Sequence, residues 1–481
     1  MELLDSMKAF FVRRMLLSRK VPKGCENPLE GWMAIKAREV LKKSGSKFPA
    51  SERTDTIGRE EFEEYQLLRF REQMKYAEAE APHYRSLYKD AGIRPEDIRT
   101  YEDLEKVPFT YSHDLAEKPY SFCAVSVTKL AREFTTTGTT GRRKTIGFTS
   151  GDLVGKVDII ASALSNIGMR KGDSLHIMFP TVSAWDPSLM MSAACKVLGY
   201  GSSTCSDTDI AMQMKVMREA GSTHIIGLPS FIYRVTALMG KETDLKTLGI
   251  KKIISTSEPL SESVRKTLEE AWGCKVLDVW GMTEMGLACA VECDEQDGLH
   301  TDEANILFEV IDPETGKHVP AGQEGELVVS GLNSQGTVLL RYRTNDLVSM
   351  QDPPCDCGMS FNKKLNKPHG RIDMQSKVGM GYKVYPLLFD EVLFKENDVV
   401  EYQLKITKEN YRDVLTFEVE TPAPSHELEE RIISLVSSVR EVSDGIAEDL
   451  IERPRVRFVD VGLMEYSAKA KKIVDLRENY D

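Results

Sequence analysis

The sequence lacks any uninterrupted apolar run of the roughly 20 residues needed to cross a bilayer, so no transmembrane segment is expected in these 481 residues. It also lacks a basic excess. There are 75 Asp and Glu against 63 Lys and Arg, a formal charge of −12. The positive footprint of a general nucleic-acid binder is therefore missing, and no nucleic-acid partner is expected. Nine cysteines, an odd number scattered along a long chain, do not make a disulfide framework and suit a reducing cytoplasm. The N-terminus shows no long apolar stretch followed by a small-residue cleavage site, so no signal peptide is read. Internal repeats and low-complexity tracts are absent, as is the ordinary phosphate loop, Gly-x4-Gly-Lys-Ser/Thr.

What is present is the run Thr135-Thr136-Thr137-Gly138-Thr139-Thr140-Gly141-Arg142-Arg143-Lys144. Glycines permit close approach to a ligand, while hydroxyls, backbone N–H groups and cations suit anionic oxygens. The plain alternative is a polar surface turn. A length of 481 residues gives two or three domains as the natural prior. The first fifty residues hold eleven Lys and Arg against five Asp and Glu. Met7 to Lys20 there reads as a basic amphipathic helix, suited to a membrane surface or to docking on protein.

From Asp152 to Trp280 helix-like and strand-like segments alternate. Strands are expected at Ser174 to Phe179, His224 to Leu228, Lys252 to Ser255 and Lys275 to Trp280, with helices between them. This order argues for an α/β fold with a doubly wound, mainly parallel sheet, in which ligands sit beyond the carboxyl ends of strands. Ser257-Glu258-Pro259 and Trp280-Gly281-Met282-Thr283-Glu284 lie at such ends. Beyond Asn305 a β subdomain is expected, with strands at Phe308 to Ile311 and Glu326 to Ser330, then a linker from Lys363 to Arg371. The last hundred or so residues read as a small, mobile α+β domain. The expected divisions are 1–57, a basic extension; 58–372, a large domain; and 373–481, a C-terminal lid.

The phosphate-loop run resembles that of the adenylate-forming enzymes: acyl-CoA synthetases, peptide-synthetase adenylation domains and luciferases. Further stations follow in the same order. They are Ser257-Glu258-Pro259, Trp280 to Glu284, Tyr342-Arg343-Thr344-Asn345-Asp346, Gly370-Arg371-Ile372-Asp373, and Lys469 in Ser467-Ala468-Lys469-Ala470-Lys471. Within that superfamily the stretch from Met74-Lys75-Tyr76-Ala77 to Asp114-Leu115, with Gly298-Leu299-His300 and Val384-Tyr385-Pro386, is similar to the phenylacetate-CoA ligase group.

The resemblance implies an acid–CoA ligase using ATP, Mg²⁺ and coenzyme A. A carboxylic acid, an aryl or arylacetic one on this likeness, attacks the α-phosphorus of ATP, and the acyl-adenylate then passes to CoA. Thr135, Thr136, Thr137, Gly138, Thr139, Thr140, Gly141 and Lys144 would hold phosphates. Ser257, Glu258, Pro259, Trp280, Gly281 and Met282 would line the nucleotide. Thr283 would bond the α-phosphate, Glu284 would carry Mg²⁺, Asp346 would accept from the ribose, and Arg371 would lie near ribose and phosphate. Lys469 would bridge carboxylate and phosphate, and Asp373 would be the hinge of the C-terminal domain. The sequence departs from the pattern at Asn345 and Ala468, where glycine is usual, and in Lys377 to Tyr382. A carrier-protein thiol as acceptor, and a nucleotide-binding protein without turnover, stay open, as does a homodimer.

Cys293, His300, Cys355 and Cys357 form a candidate structural zinc set, since thiolates and imidazole suit that ion. Cys289 is an alternative ligand, and buried free thiols are the plain reading. Phe179, Trp185, Phe231 and Tyr233 are candidates for an apolar acyl pocket or for core.

Overall fold

The computed structural model describes residues 28–45, 57–136, 143–179, 188–205, 208–366, 370–372, 375–464 and 472–477. The chain divides into two compact units, each assembled from separated stretches. The first comprises residues 1–175, 183–202 and 277–368, and the second residues 176–182, 203–276 and 369–481.

In the first unit the helix Pro28–Ser44 places Leu29, Met33, Ala37 and Leu41 on one line at a spacing of four, all buried. The stretch lies in the expected basic extension, but here it is an integral packed helix. Met7 to Lys20 lies outside the described residues. Two helices follow, Arg59–Glu80 and Pro82–Ala91, divided by Pro82 and closed by Gly92 in the left-handed region at φ 65°. The helix Ser150–Asn166 begins at a capping box in which Thr149 and Asp152 satisfy each other's backbone N–H. The same Asp152 carboxylate accepts from the N–H groups of Gln335 and Gly336, tying the helix to a loop far along the chain.

The strand Lys275–Met282 turns into an antiparallel partner, Gly286–Glu292. Leu299–Thr301, Lys364–Leu365 and Met350–Gln351 extend the same sheet. Lys364 and Leu365 are thus buried strand residues, where the sequence suggested a linker; a Lys-rich run concealed a pairing that only distant partners create. A second antiparallel set joins Ile306–Ile311, Gly325–Gly331 and Tyr342–Val348. The first two are buried at every position, and the third alternates.

The second unit contains the parallel pair His224–Gly227 and Lys252–Thr256, joined through the helix Pro229–Met239. Every residue of these strands but Lys252 is buried, as a sheet covered on both faces requires. The mixed α/β expectation holds, with parallel and antiparallel pairing both present.

A separate four-stranded sheet has the hairpin Glu401–Glu409 and Arg412–Glu420 at its centre, with Arg455–Val459 and Ile473–Asp475 added in parallel. The hairpin turns through Asn410 and Tyr411, both at positive φ. Several contacts join this C-terminal part to residues 203–276 within the unit. Arg234 makes a bidentate pair with Glu420, both bonds 2.7 Å. The Tyr233 hydroxyl donates to the Val399 carbonyl at 3.2 Å. Glu391 accepts from the N–H groups of Glu262 and Ser263, capping the helix Glu262–Trp272 from a different part of the chain.

Candidate active site

The ends of the phosphate-loop run form a β-hairpin. Arg132–Thr136 pairs antiparallel with Lys144–Phe148, and Thr136 stands opposite Lys144. Residues 137–142, including Thr137, Gly138, Thr139, Thr140 and Gly141, lie outside the described residues. Thr135 is half-buried in the first strand.

Lys144 at the start of the second strand places its ammonium on Glu284, Nζ to Oε1 2.5 Å. Nζ also lies 3.1 Å from the Tyr342 hydroxyl, which donates to the same Glu284 oxygen at 3.2 Å. Burial alone would raise the Glu284 carboxyl. Lys144, by charge and hydrogen bond, and the Tyr342 hydroxyl together hold it below the usual carboxylate range. The result is an ionised, largely enclosed oxygen donor beside a cation at the foot of the threonine-rich loop. A hard divalent ion such as Mg²⁺ takes this type of ligand.

Glu284 is aimed by the turn between Lys275–Met282 and Gly286–Glu292. A Cβ on Gly281 would stand 2.9 Å from the Ala288 nitrogen and 3.0 Å from the Gly286 oxygen, so only glycine fits this hairpin. Trp280, just before it, donates its indole N–H to Asp346 Oδ2 at 3.1 Å. Thr283 and Met282 are half-buried. Asn345, at the position where glycine is usual, has φ 64°. Asparagine is among the few other residues that tolerate the left-handed region, so the departure preserves the backbone and leaves Asp346 in place.

Ser257, Glu258 and Pro259 belong to the second unit. Ser257 is exposed at φ 73°. Crowding by surrounding protein pushes the Glu258 carboxyl up to about 7, against the pull of Lys472 and a hydrogen bond from Ser230. Arg371 is half-buried in the short strand Gly370–Arg371. Asp373, Lys469 and Ala468 lie outside the described residues.

Lys472, three residues after Lys469, is held among charged and aromatic partners. Its ammonium lies 2.9 Å from Asp390 Oδ1 and 3.5 Å from Glu401 Oε1, 4.8 and 4.9 Å above the rings of Phe394 and Tyr402. Its carbonyl accepts from the Leu404 N–H at 2.7 Å. Phe231 and Tyr233 are core residues, Tyr233 packing on Phe394 at 4.5 Å, so they do not offer an open acyl pocket. Phe179 is buried, and Trp185 lies outside the described residues.

The cysteine and histidine set comes together. The ligand atoms of Cys293, His300, Cys355 and Cys357 all lie within 4.8 Å of one another. Cys293 and Cys355 sulfurs are 3.9 Å apart, and Cys357 Sγ is 3.4 Å from His300 Nε2. A tetrahedral zinc site has edges of about 3.8 Å between sulfurs and about 3.5 Å from sulfur to nitrogen, given its usual bond lengths. Contact with Cys357 lowers the Cys293 thiol despite burial, while the same contact raises Cys357. The donor set fits zinc. Cys289 is outside it, donating to the Gly286 carbonyl at 3.1 Å.

Two contributors escaped the sequence reading. Tyr342 opens a recognised motif, yet its hydroxyl acts 58 residues away on Glu284. Asn362 accepts from His300 Nδ1 at 3.1 Å, a contact that no local pattern announces.

The sequence pattern of the AMP-binding enzyme family matches residues 54–337, and that of the AMP-binding enzyme C-terminal domain matches residues 381–477. The chain belongs to the AMP-binding enzyme family and is an enzyme of the adenylate-forming ligase class. It is 29% identical to a phenylacetate-coenzyme A ligase of Thermus thermophilus over 77% of this chain and 84% of that one. It is 27% identical to the phenylacetate-coenzyme A ligase of Escherichia coli K12, over 88% and 97%. A crystal structure of 2-hydroxyisobutyryl-CoA ligase in the postadenylation state shares the fold, with TM-score 0.76 and 23% identity over 89% of this chain and 94% of that one.

Proposed function

We propose that the protein is an ATP-dependent carboxylic acid–CoA ligase acting on an aryl or arylacetic acid. It forms an acyl-adenylate and pyrophosphate, then an acyl-CoA thioester and AMP. The Lys144–Glu284–Tyr342 triangle carries this reading, because it sets an ionised carboxylate and a cation at the base of a threonine-rich hairpin. The named relatives supply the acid and the thiol.

Glu284 would hold Mg²⁺, which neutralises phosphate charge when bound. Thr135 to Gly141 would hold phosphate oxygens, and Thr283 the α-phosphate. Asp346, oriented by Trp280, would accept from the ribose hydroxyls, and Arg371 would lie beside them. Ser257, Glu258, Pro259, Gly281 and Met282 would border the base. Lys469 would stabilise the charge that builds between the attacking carboxylate and the α-phosphate. Residues 373–481 would form a lid turning about Asp373 to admit CoA. A structural zinc ion would be held by Cys293, His300, Cys355 and Cys357. A reducing cytoplasm would keep the thiols available to such an ion.

A panel of carboxylic acids screened for pyrophosphate release tests the reading. Acid-dependent exchange of pyrophosphate into ATP reports adenylation, and its absence across the panel would leave only a nucleotide-binding protein. Exchange without CoA thioester formation would point to another acceptor thiol.

A further inference from the structure

The helix Pro28–Ser44 reaches the cysteine and histidine cluster through one carboxylate. Glu30, 4% exposed in its first turn, accepts from the backbone N–H groups of Ser360, Phe361 and Asn362 at 2.7, 2.7 and 3.2 Å. The Ser360 hydroxyl adds a fourth contact at 3.3 Å. Successive N–H groups turned onto one carboxylate make a backbone nest. This nest lies in the loop between Cys357 and the strand Lys364–Leu365.

The loop also carries Asn362. Its side-chain oxygen faces His300 Nδ1, which leaves Nε2 directed at the cysteines. The Asn362 amide cannot flip without loss, since its nitrogen donates to the Thr301 carbonyl at 2.7 Å and to Glu303 Oε2 at 3.1 Å. Histidine ligands are commonly oriented by such a partner on the other ring nitrogen. One short loop therefore has two tasks. It orients the histidine of the Cys₃His set, and it seats the carboxylate of the N-terminal helix.

We propose that zinc binding at Cys293, His300, Cys355 and Cys357 and docking of the helix Pro28–Ser44 are thermodynamically coupled through Glu30 and Asn362. The ion acts as a fastener for a segment that lies N-terminal to the stretch matched by the family pattern. The metal fixes the Cys355–Cys357 turn and with it the loop, so the nest is formed before Glu30 arrives. Conversely, Glu30 in the nest holds Asn362 where it orients His300. By linkage each event strengthens the other by the same factor. The inference rests on the zinc assignment above.

The test uses the full chain. Hydrogen exchange of residues 28–44 and 360–362 is followed before stripping with a chelator, after stripping, and after reloading with Zn²⁺ alone. Zinc affinity of the wild type and of Glu30→Gln is measured against a competing chromophoric chelator. Stripping is expected to speed exchange in both segments at least tenfold, reversed by Zn²⁺, and Glu30→Gln to weaken zinc binding about tenfold. If zinc binds one per chain but exchange in 28–44 is unmoved by stripping, the coupling is wrong and the metal assignment stands. If no zinc binds, both fall. The exchange arm needs no variant, so it decides the matter should Glu30→Gln fail to fold. Pyrophosphate exchange measured alongside reports on the ligase reading separately.

Discussion

The Lys144 ammonium rests on the Glu284 carboxylate with the Tyr342 hydroxyl completing a triangle, so the carboxylate assigned to the metal is already neutralised by the protein's own cation. A Mg²⁺–nucleotide entering here would exchange one positive partner for another. Glu284→Gln is therefore expected to lower pyrophosphate exchange at least about 100-fold. Because the change strands a mostly buried ammonium, it should also destabilise the fold by up to about 3–5 kcal/mol. The folded-state pKa of Glu284 is lowered, so the pair's contribution is present above the unfolded carboxyl value near 4.3 and is lost as pH falls through the folded value. Acid unfolding curves of wild type and variant should draw together below about pH 4.3 and meet once the pH is below the lowered folded value; equal separation at all pH would contradict the pairing.

Asn345 stands at φ 64°. Asn345→Gly should leave stability within about 0.5 kcal/mol of wild type. Asn345→Val, β-branched and unsuited to this region, should cost about 1–2 kcal/mol and raise the KM for ATP by displacing Asp346. Thermal unfolding and initial rates check both, and a Val variant as stable as wild type would refute the strain argument.

Two lysines three positions apart should behave in opposite ways. Lys469→Ala is expected to abolish adenylate formation while sparing thioester formation from pre-made adenylate, with little change in melting temperature. Lys472→Met leaves Asp390 and Glu401 without their shared cation, and should cost about 3–5 kcal/mol of stability. Calorimetry with separate half-reaction assays distinguishes them. Should Lys469→Ala keep both half-reactions, its assignment would be withdrawn.

Glu258 titrates in the opposite sense from Glu284. Its folded pKa of about 7 lies above the unfolded value near 4.3. Between these the folded state holds the extra proton, so stability declines as pH rises through the window. Glu258→Gln should flatten this decline between about pH 4.3 and 7. Denaturant titrations across that range measure it, and parallel curves for the two proteins would count against the shift.

Lys144, Glu284, Trp280 and Asp346, which the structure brings into contact in pairs, could be singled out because each sits in a short run, where neighbours such as Trp280 and Glu284 share one turn. Tyr342 and Asn362 could not, because each acts through a contact across tens of residues. The helix Pro28–Ser44 was hidden differently. Two of its five buried apolar positions are alanines, Ala34 and Ala37, and Lys36, Arg38, Lys42 and Lys43 interrupt the apolar pattern. A count at spacing four from Leu29 to Leu41 would have revealed it. The strand Lys364–Leu365 could not be read locally, since two residues carry no period and its partner Leu299–His300 lies far upstream.

Glu391 caps a helix that begins at Glu262, 129 positions earlier, and Glu420 answers the charge of Arg234. Excising residues 381–477 would therefore not release a finished larger fragment. Ser263 would lose the Glu391 carboxylate that accepts from its N–H, Arg234 would lose both bonds to Glu420, and Tyr233 would lose the Val399 carbonyl. A truncated chain intended to isolate the nucleotide-binding portion should carry compensating changes at these three positions, or be expected to aggregate.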